Sequence, residues 1–162
     1  MGADGAPWYR DAAARTLILE RCLPTLAALN LVWEIAQLPL YTIWNEGSAG
    51  YKAFAVLHCT AGDVLIGLVS LALALMITRA GRVASWNWVA IALLLVTIGV
   101  AYTVFSEWNN TVLRPTWAYS ELMPVIRLGG VSFGLSPLVQ WLMLPPVALW
   151  AAQRSVARFA SR

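Results

Sequence analysis

Charge is what this chain has least of. Only 12% of its 162 residues are Asp, Glu, Lys or Arg, whereas 60% are hydrophobic. A soluble domain carries about 25% charged residues, so this chain cannot cover the surface of an ordinary soluble enzyme. The apolar excess also excludes a disordered chain. Two cysteines, Cys22 and Cys59, are too few to knit a small secreted module. They fall near opposite membrane faces, so no bridge between them is expected. A single histidine, His58, rules out bis-histidine haem within one copy. There is no CxxC, no HExxH, no Gly-rich phosphate loop and no Ser–His–Asp set. The net charge of +3 does not signal nucleic acid, because the arginines stand at the ends of apolar runs.

What is present is apolar sequence in long runs. Four have spanning length: Thr25–Trp44, Ala55–Thr78, Trp86–Trp108 and Gly134–Ala152. At about 1.5 Å per residue each reaches roughly the 30 Å of a hydrocarbon core. In lipid the backbone must satisfy its own hydrogen bonds, which makes these runs helices rather than short barrel strands. The expected fold class is all-α, a polytopic membrane protein built as a four-transmembrane-helix bundle. Residues 1–24 form an N-terminal segment, 25–152 the single transmembrane domain, and 153–162 a basic tail. The first run holds Glu34, Gln37 and Pro39, unlike the apolar stretch of a cleaved leader.

Basic residues orient the spans. Arg10, Arg15, Arg21, Arg79, Arg82, Arg154, Arg158 and Arg162 share one side; Lys52, Arg114 and Arg127 share the other. Both termini are therefore expected in the cytoplasm, with Trp86, Trp88 and Trp150 at the inner interface and Tyr41, Trp44, Tyr51 and Trp108 at the outer one. Pro7–Arg21 reads as a short interfacial helix, with Asp11 and Arg15 spaced for an ion pair. The alternative is an extension of the first span, kinked at Pro24. The outer segment Asn109–Phe133 is long for a small bundle and reads as a lid, a docking surface or a site wall.

The spans contain Glu34, His58, Asp63 and Glu107 but no Lys or Arg. Ionisable groups within a membrane are costly and usually face the interior of a bundle. Three acids facing at most one histidine must be protonated, reach Arg114 or Arg127, face water or hold a cation. From the span ends, Glu34 lies about 15 Å and Asp63 about 12 Å below the outer surface, with His58 within about 5 Å of it. Glu34, Gln37 and Tyr41 share a helical face; so do Thr103, Glu107 and Asn110, and so do Ser136, Gln140 and Met143. Pro39 and Pro137 are expected to break helices at this level. Single polar residues such as Gln37, Ser136, Tyr102 or Gln140 also serve as interhelical glue. Convergence of all four spans on one level favours a site.

Four strings carry a resemblance: Trp33-Glu34-Ile35-Ala36-Gln37-Leu38-Pro39-Leu40-Tyr41, His58-Cys59-Thr60-Ala61-Gly62-Asp63, Ser106-Glu107-Trp108-Asn109-Asn110, and Gly134-Leu135-Ser136-Pro137-Leu138-Val139-Gln140-Trp141. With Trp117-Ala118-Tyr119 and Met123-Pro124 they resemble a group of small bacterial four-span membrane proteins. That resemblance implies the fold class and a bacterial inner membrane, and no activity. Small multidrug-resistance transporters offer a chemical analogy in the placement of Glu34. The emopamil-binding sterol isomerase group offers another in its cast of intramembrane His, Glu, Asn and Trp. Neither matches in spacing and order.

The expected function is acid/base chemistry on, or binding of, a lipophilic small molecule near the outer leaflet. Candidate catalytic residues are Glu34, His58, Asp63 and Glu107. Candidate ligand-binding residues are Trp33, Gln37, Tyr41, Tyr102, Trp108, Asn110, Trp117, Tyr119 and Gln140. An isomerase, cyclase or hydratase of this kind needs no cofactor, and the sequence names none. The alternatives are an accessory subunit of a larger membrane complex, a proton-coupled transporter, and a metal or haem protein with His58, Asp63 and Glu34 as candidate ligands. Expected partners are the lipid bilayer, the lipophilic molecule and either further copies of the chain or a larger complex.

Overall fold

A computed structural model describes residues 7–160, with side chains through 154. Arg158 and Arg162, counted above for orientation, lie outside the residues whose side chains are described. Four helices are long and apolar enough to cross a membrane. They are α1 (Ala12–Leu40), α2 (Ala49–Ile77), α3 (Trp88–Leu113) and α4 (Leu135–Ala160). Each packs on two others: α1 on α2 and α4, and α3 on α2 and α4. The closed circuit leaves one end with the termini and the α2–α3 turn, and the other with the two remaining connections.

The N-terminal segment is an extension of α1, not a separate interfacial helix. Asp11 caps it by accepting from the Ala13 N–H at 3.2 Å, and also accepts from the Val83 N–H at 3.1 Å, which ties the segment to the α2–α3 turn. Residues Leu17–Cys22 then adopt a π-helical turn in which the Leu23 N–H reaches back to the Ile18 carbonyl. Pro24 follows directly. It has no N–H to give, and a widened turn accommodates the missing bond. The buried side chains Leu17, Ile18 and Cys22 belong to the main apolar cluster, which is why this segment does not lie apart. Cys22 and Cys59 are both free thiols.

That cluster fills the termini end. Leu26 of α1, Leu71 and Leu75 of α2, Ile91 and Leu95 of α3, and Leu144, Ala148 and Leu149 of α4 meet there with Val83 and Trp86 of the turn. Side chains turned away from it, such as Val32, Leu65, Val89 and Leu93, are exposed although apolar.

At the other end α1 turns 3-10 over Leu38–Leu40 and stops, as expected of Pro39. Pro137 breaks nothing: it sits in the first turn of α4, where its missing N–H has no intrahelical partner to lose. Ser48 caps α2 and Asn87 caps α3 through side-chain acceptors. α2 begins earlier and α1 ends earlier than the apolar runs suggest. Glu34 therefore lies about 9 Å from the end of its helix and Asp63 about 21 Å from the start of its own.

The segment expected as one long loop has structure of its own. α3 runs on through a π-helical turn to Leu113. Strands β1 (Val125–Leu128) and β2 (Val131–Gly134) then form an antiparallel hairpin. Its two-residue turn is Gly129–Gly130, with φ of +56° and +80°, a conformation glycine alone adopts freely at both positions. Between α3 and the hairpin, residues 118–120 pair with the end of α1. The Thr42 N–H donates to the Ala118 carbonyl at 3.0 Å and the Ser120 N–H to the Leu40 carbonyl at 2.9 Å. The Ser120 hydroxyl donates to the Pro39 carbonyl at 2.9 Å.

Candidate functional site

Seven polar side chains from three helices form one hydrogen-bonded network. Asn30, Trp33, Glu34 and Gln37 lie along one stripe of α1, Asp63 comes from α2, and Ser136 and Gln140 stand one turn apart on α4. The Gln140 amide nitrogen donates to Asn30 Oδ1 at 2.7 Å, to Asp63 Oδ2 at 2.8 Å and to Glu34 Oε1 at 3.2 Å. The Gln37 amide nitrogen donates to Glu34 Oε1 at 2.7 Å. The Ser136 hydroxyl donates to Gln37 Oε1 at 2.8 Å and accepts from the Trp33 indole N–H at 3.2 Å. The Glu34 and Asp63 carboxyl groups thus share the Gln140 amide nitrogen as a common donor.

The network lies at the termini-side wall of a cavity of about 710 Å³. One face of α2 (Tyr51, Ala55, His58, Cys59, Gly62, Ile66) and one face of α3 (Tyr102, Thr103, Ser106, Glu107, Asn110) line it. Glu34, Gln37, Asp63 and Gln140 line it from the network, and Tyr41 from the end of α1. Thr116, Trp117 and Ala118 form a roof, held down by the pairing to α1. Trp141 closes the floor. Its ring is seated on Gly99, where any Cβ would collide with the indole, and it is 3% exposed. Beyond Trp141 lies the apolar cluster. Phe54, His58 and Tyr102 are lining residues that remain exposed, so the cavity opens sideways between α2 and α3.

Glu107 anchors a second polar group. The Tyr119 hydroxyl donates to Glu107 Oε2 and accepts from the Gly134 N–H at 2.9 Å. This joins α3, the roof and β2 at a single phenol. Burial raises the Tyr119 pKa above the ordinary tyrosine range, and the hydrogen bond to the adjacent Glu107 carboxyl raises it further. Tyr41, whose ring is 5.8 Å from that of Tyr119, is raised well above the same range by burial and then by Glu107. Both remain neutral phenols at physiological pH.

Of the residues singled out in the sequence, Glu34, Gln37, Asp63 and Gln140 meet in one network. Tyr41, Tyr102, Glu107, Asn110 and Trp117 reach the same cavity, and Tyr119 reaches it through Glu107. His58 lines the cavity too, whereas Trp33 and Trp108 do not. His58 stacks on Phe54, ring centroids 5.5 Å apart, and bonds to no acid; it and Asp63 are about 140° apart around α2. Trp108 points away, its ring 6.3 Å from Phe105, because one residue past Glu107 is about 100° around the helix. Trp33 is outside the cavity, bound to Ser136. Arg114 and Arg127 stay exposed, and no hydrogen bond ties either to Glu34, Asp63 or Glu107.

Asn30, Ser106, Gly62 and Trp141 are added by the structure. Asn30 stands one turn before Glu34 on the same stripe, a spacing legible in the sequence. Trp141 carries no polar signal that distinguishes it from a lipid-facing tryptophan. Among the described residues no three His, Cys, Asp or Glu side chains gather closely enough to hold a metal ion. His58, Asp63 and Glu34 therefore do not form the ligand set considered above.

No family model matches this chain, and neither curated proteins nor solved structures yield a match. The resemblance to small bacterial four-span proteins stands on its strings alone.

Proposed function

We propose that this is an integral membrane protein whose cavity holds a lipophilic small molecule against carboxyl groups and carries out acid/base chemistry on it. The observation that carries this reading is the cavity itself: about 710 Å³, with Glu34, Asp63 and Glu107 on its walls and, among the described residues, no basic side chain paired to any of them. Its side opening between two apolar helices suits a substrate that arrives through the bilayer. Support for insertion comes from the four apolar helices, in whose most apolar stretches only 22–39% of residues are buried inside the protein. Surfaces so apolar and so exposed suit lipid, not water. The distribution of basic residues favours cytoplasmic termini, with the cavity toward the outer leaflet.

The chemistry follows from the groups. A proton held by Glu34 or Asp63 is given to one atom of the bound molecule. A carboxylate, Glu107 or the partner left behind, takes a proton from another atom. An isomerisation or cyclisation balances on those two transfers, with no cofactor. The Gln37 and Gln140 amides stabilise the anion formed when the proton leaves. Trp141 and the apolar cluster beyond it interrupt any polar path to the termini end, which favours a binding and reaction site over a conducting route.

The test is to compare lipid extracts by mass spectrometry from cells carrying the wild type, Glu34→Gln or Asp63→Asn. An altered lipid profile in both variants supports the chemistry. Unchanged profiles, with both variants folded, overturn it.

A further inference from the structure

The cavity's charge is unbalanced in a way that selects among lipophilic molecules. Glu34, Glu46, Asp63 and Glu107 line it, and among the described residues no Lys or Arg does. The network does not neutralise its acids with cations. It points amide N–H groups at them, two from different helices converging on Glu34 Oε1 at 2.7 and 3.2 Å. Donors aimed at carboxyl oxygens stabilise the charged form. Among the described residues no positive group is paired with Glu34 or Asp63, and a negative charge on either is costly until it is paired. Aromatic rings complete the setting: Tyr41, Tyr51, Tyr102, Trp117 and Trp141 line the same space and present faces that attract a cation.

We propose that the cavity takes a lipophilic cation, an amphiphile whose positively charged centre sits between the Glu34–Asp63 pair and the aromatic walls. This deepens the function proposed above and rests on it. The apolar body enters between α2 and α3 past Phe54 and Tyr102. Gly62 is an open point of the lining: a Cβ added there meets nothing within 4 Å, so a larger side chain is expected to grow into the cavity.

Two probes of the same size and shape but opposite charge test the inference. Purified protein in neutral detergent is dialysed to equilibrium against tetraphenylphosphonium or tetraphenylborate, with triphenylmethane as a neutral probe. The expected result is saturable phosphonium binding at one site per chain, at least tenfold tighter than the borate. Glu34→Gln and Asp63→Asn each weaken it about tenfold or more, and Gly62→Leu abolishes it. Borate binding as tight as phosphonium binding on the wild type overturns the proposal, and this comparison needs no variant to fold. Neutral probe binding as tight as phosphonium, and lost in Gly62→Leu, also overturns it while leaving the lipophilic cavity standing. If no probe binds in a Gly62-dependent way, both readings fail.

Discussion

The Gln140 side-chain nitrogen on α4 donates to Asp63 Oδ2 on α2 at 2.8 Å, which makes one amide the tie between two helices that share no broad interface. The same nitrogen also reaches Asn30 and Glu34 on α1. It has two hydrogens to give and three acceptors competing for them.

Removing this amide should loosen the cavity end. Gln140→Leu takes the side-chain donor from Asn30 Oδ1 and Asp63 Oδ2 and leaves Glu34 with Gln37 alone, at a cost of about 1–3 kcal/mol. The expected readout is a lower thermal midpoint in detergent. In a double-mutant cycle, Gln140→Leu with Asp63→Asn should deviate from additivity by about 0.5 kcal/mol or more. Additive effects would mean that the two groups do not interact.

Two glycines should respond in opposite ways. At Gly99 a methyl group collides with the Trp141 indole, so Gly99→Ala must displace the cavity floor and should cost about 1–3 kcal/mol. At Gly62 nothing lies within 4 Å, and Gly62→Ala should leave the midpoint unchanged or raised, since alanine is the better helix former. Thermal unfolding of both variants, side by side, reads the contrast.

Tyr119 should fasten the hairpin. Tyr119→Phe removes the donor to Glu107 and the acceptor for the Gly134 N–H together. Faster amide exchange at Gly134, and faster proteolysis at the Gly129–Gly130 turn, are the expected results. Exchange equal to wild type would show that the strands are held by other contacts.

The raised phenols set an alkaline limit. A tyrosine whose folded pKa is raised binds its proton more tightly in the native state. Stability is therefore full below the ordinary value of about 10 and falls as pH rises from there toward the folded pKa. Tyr41 and Tyr119 are raised, so absorbance titration of the native protein should show two tyrosines ionising above the ordinary value of about 10, and one of them should be lost in Tyr119→Phe. Tyr119→Phe should reduce the loss of stability above pH 10. All five tyrosines of the chain titrating together near pH 10 would contradict the burial of both rings.

Much of this was legible in the sequence, and the remainder was not for identifiable reasons. The four helices follow from apolar length alone. Glu34, Gln37, Asp63 and Gln140 were recognisable because polar groups in an apolar run have few places to go. Trp108 was misplaced because a shared depth says nothing about rotation; a residue one position from a buried acid points elsewhere. Trp141 was invisible as a floor because its seat is Gly99 on another helix, a long-range fit that no periodicity encodes. The hairpin was present in the text as Gly129-Gly130 between β-branched residues, but the length of the segment made it read as a loop. The N-terminal extension turned on Pro24, whose kink resolved into a widened turn rather than a break.

The central claim is that a lipophilic molecule occupies the cavity beside Glu34 and Asp63. Native mass spectrometry of the protein released from mild detergent tests it most directly, comparing wild type with Gly62→Leu. The account predicts a bound lipophilic mass on the wild type that is lost when leucine fills the open point of the lining. The same adduct on both proteins, or none on the wild type, would contradict it.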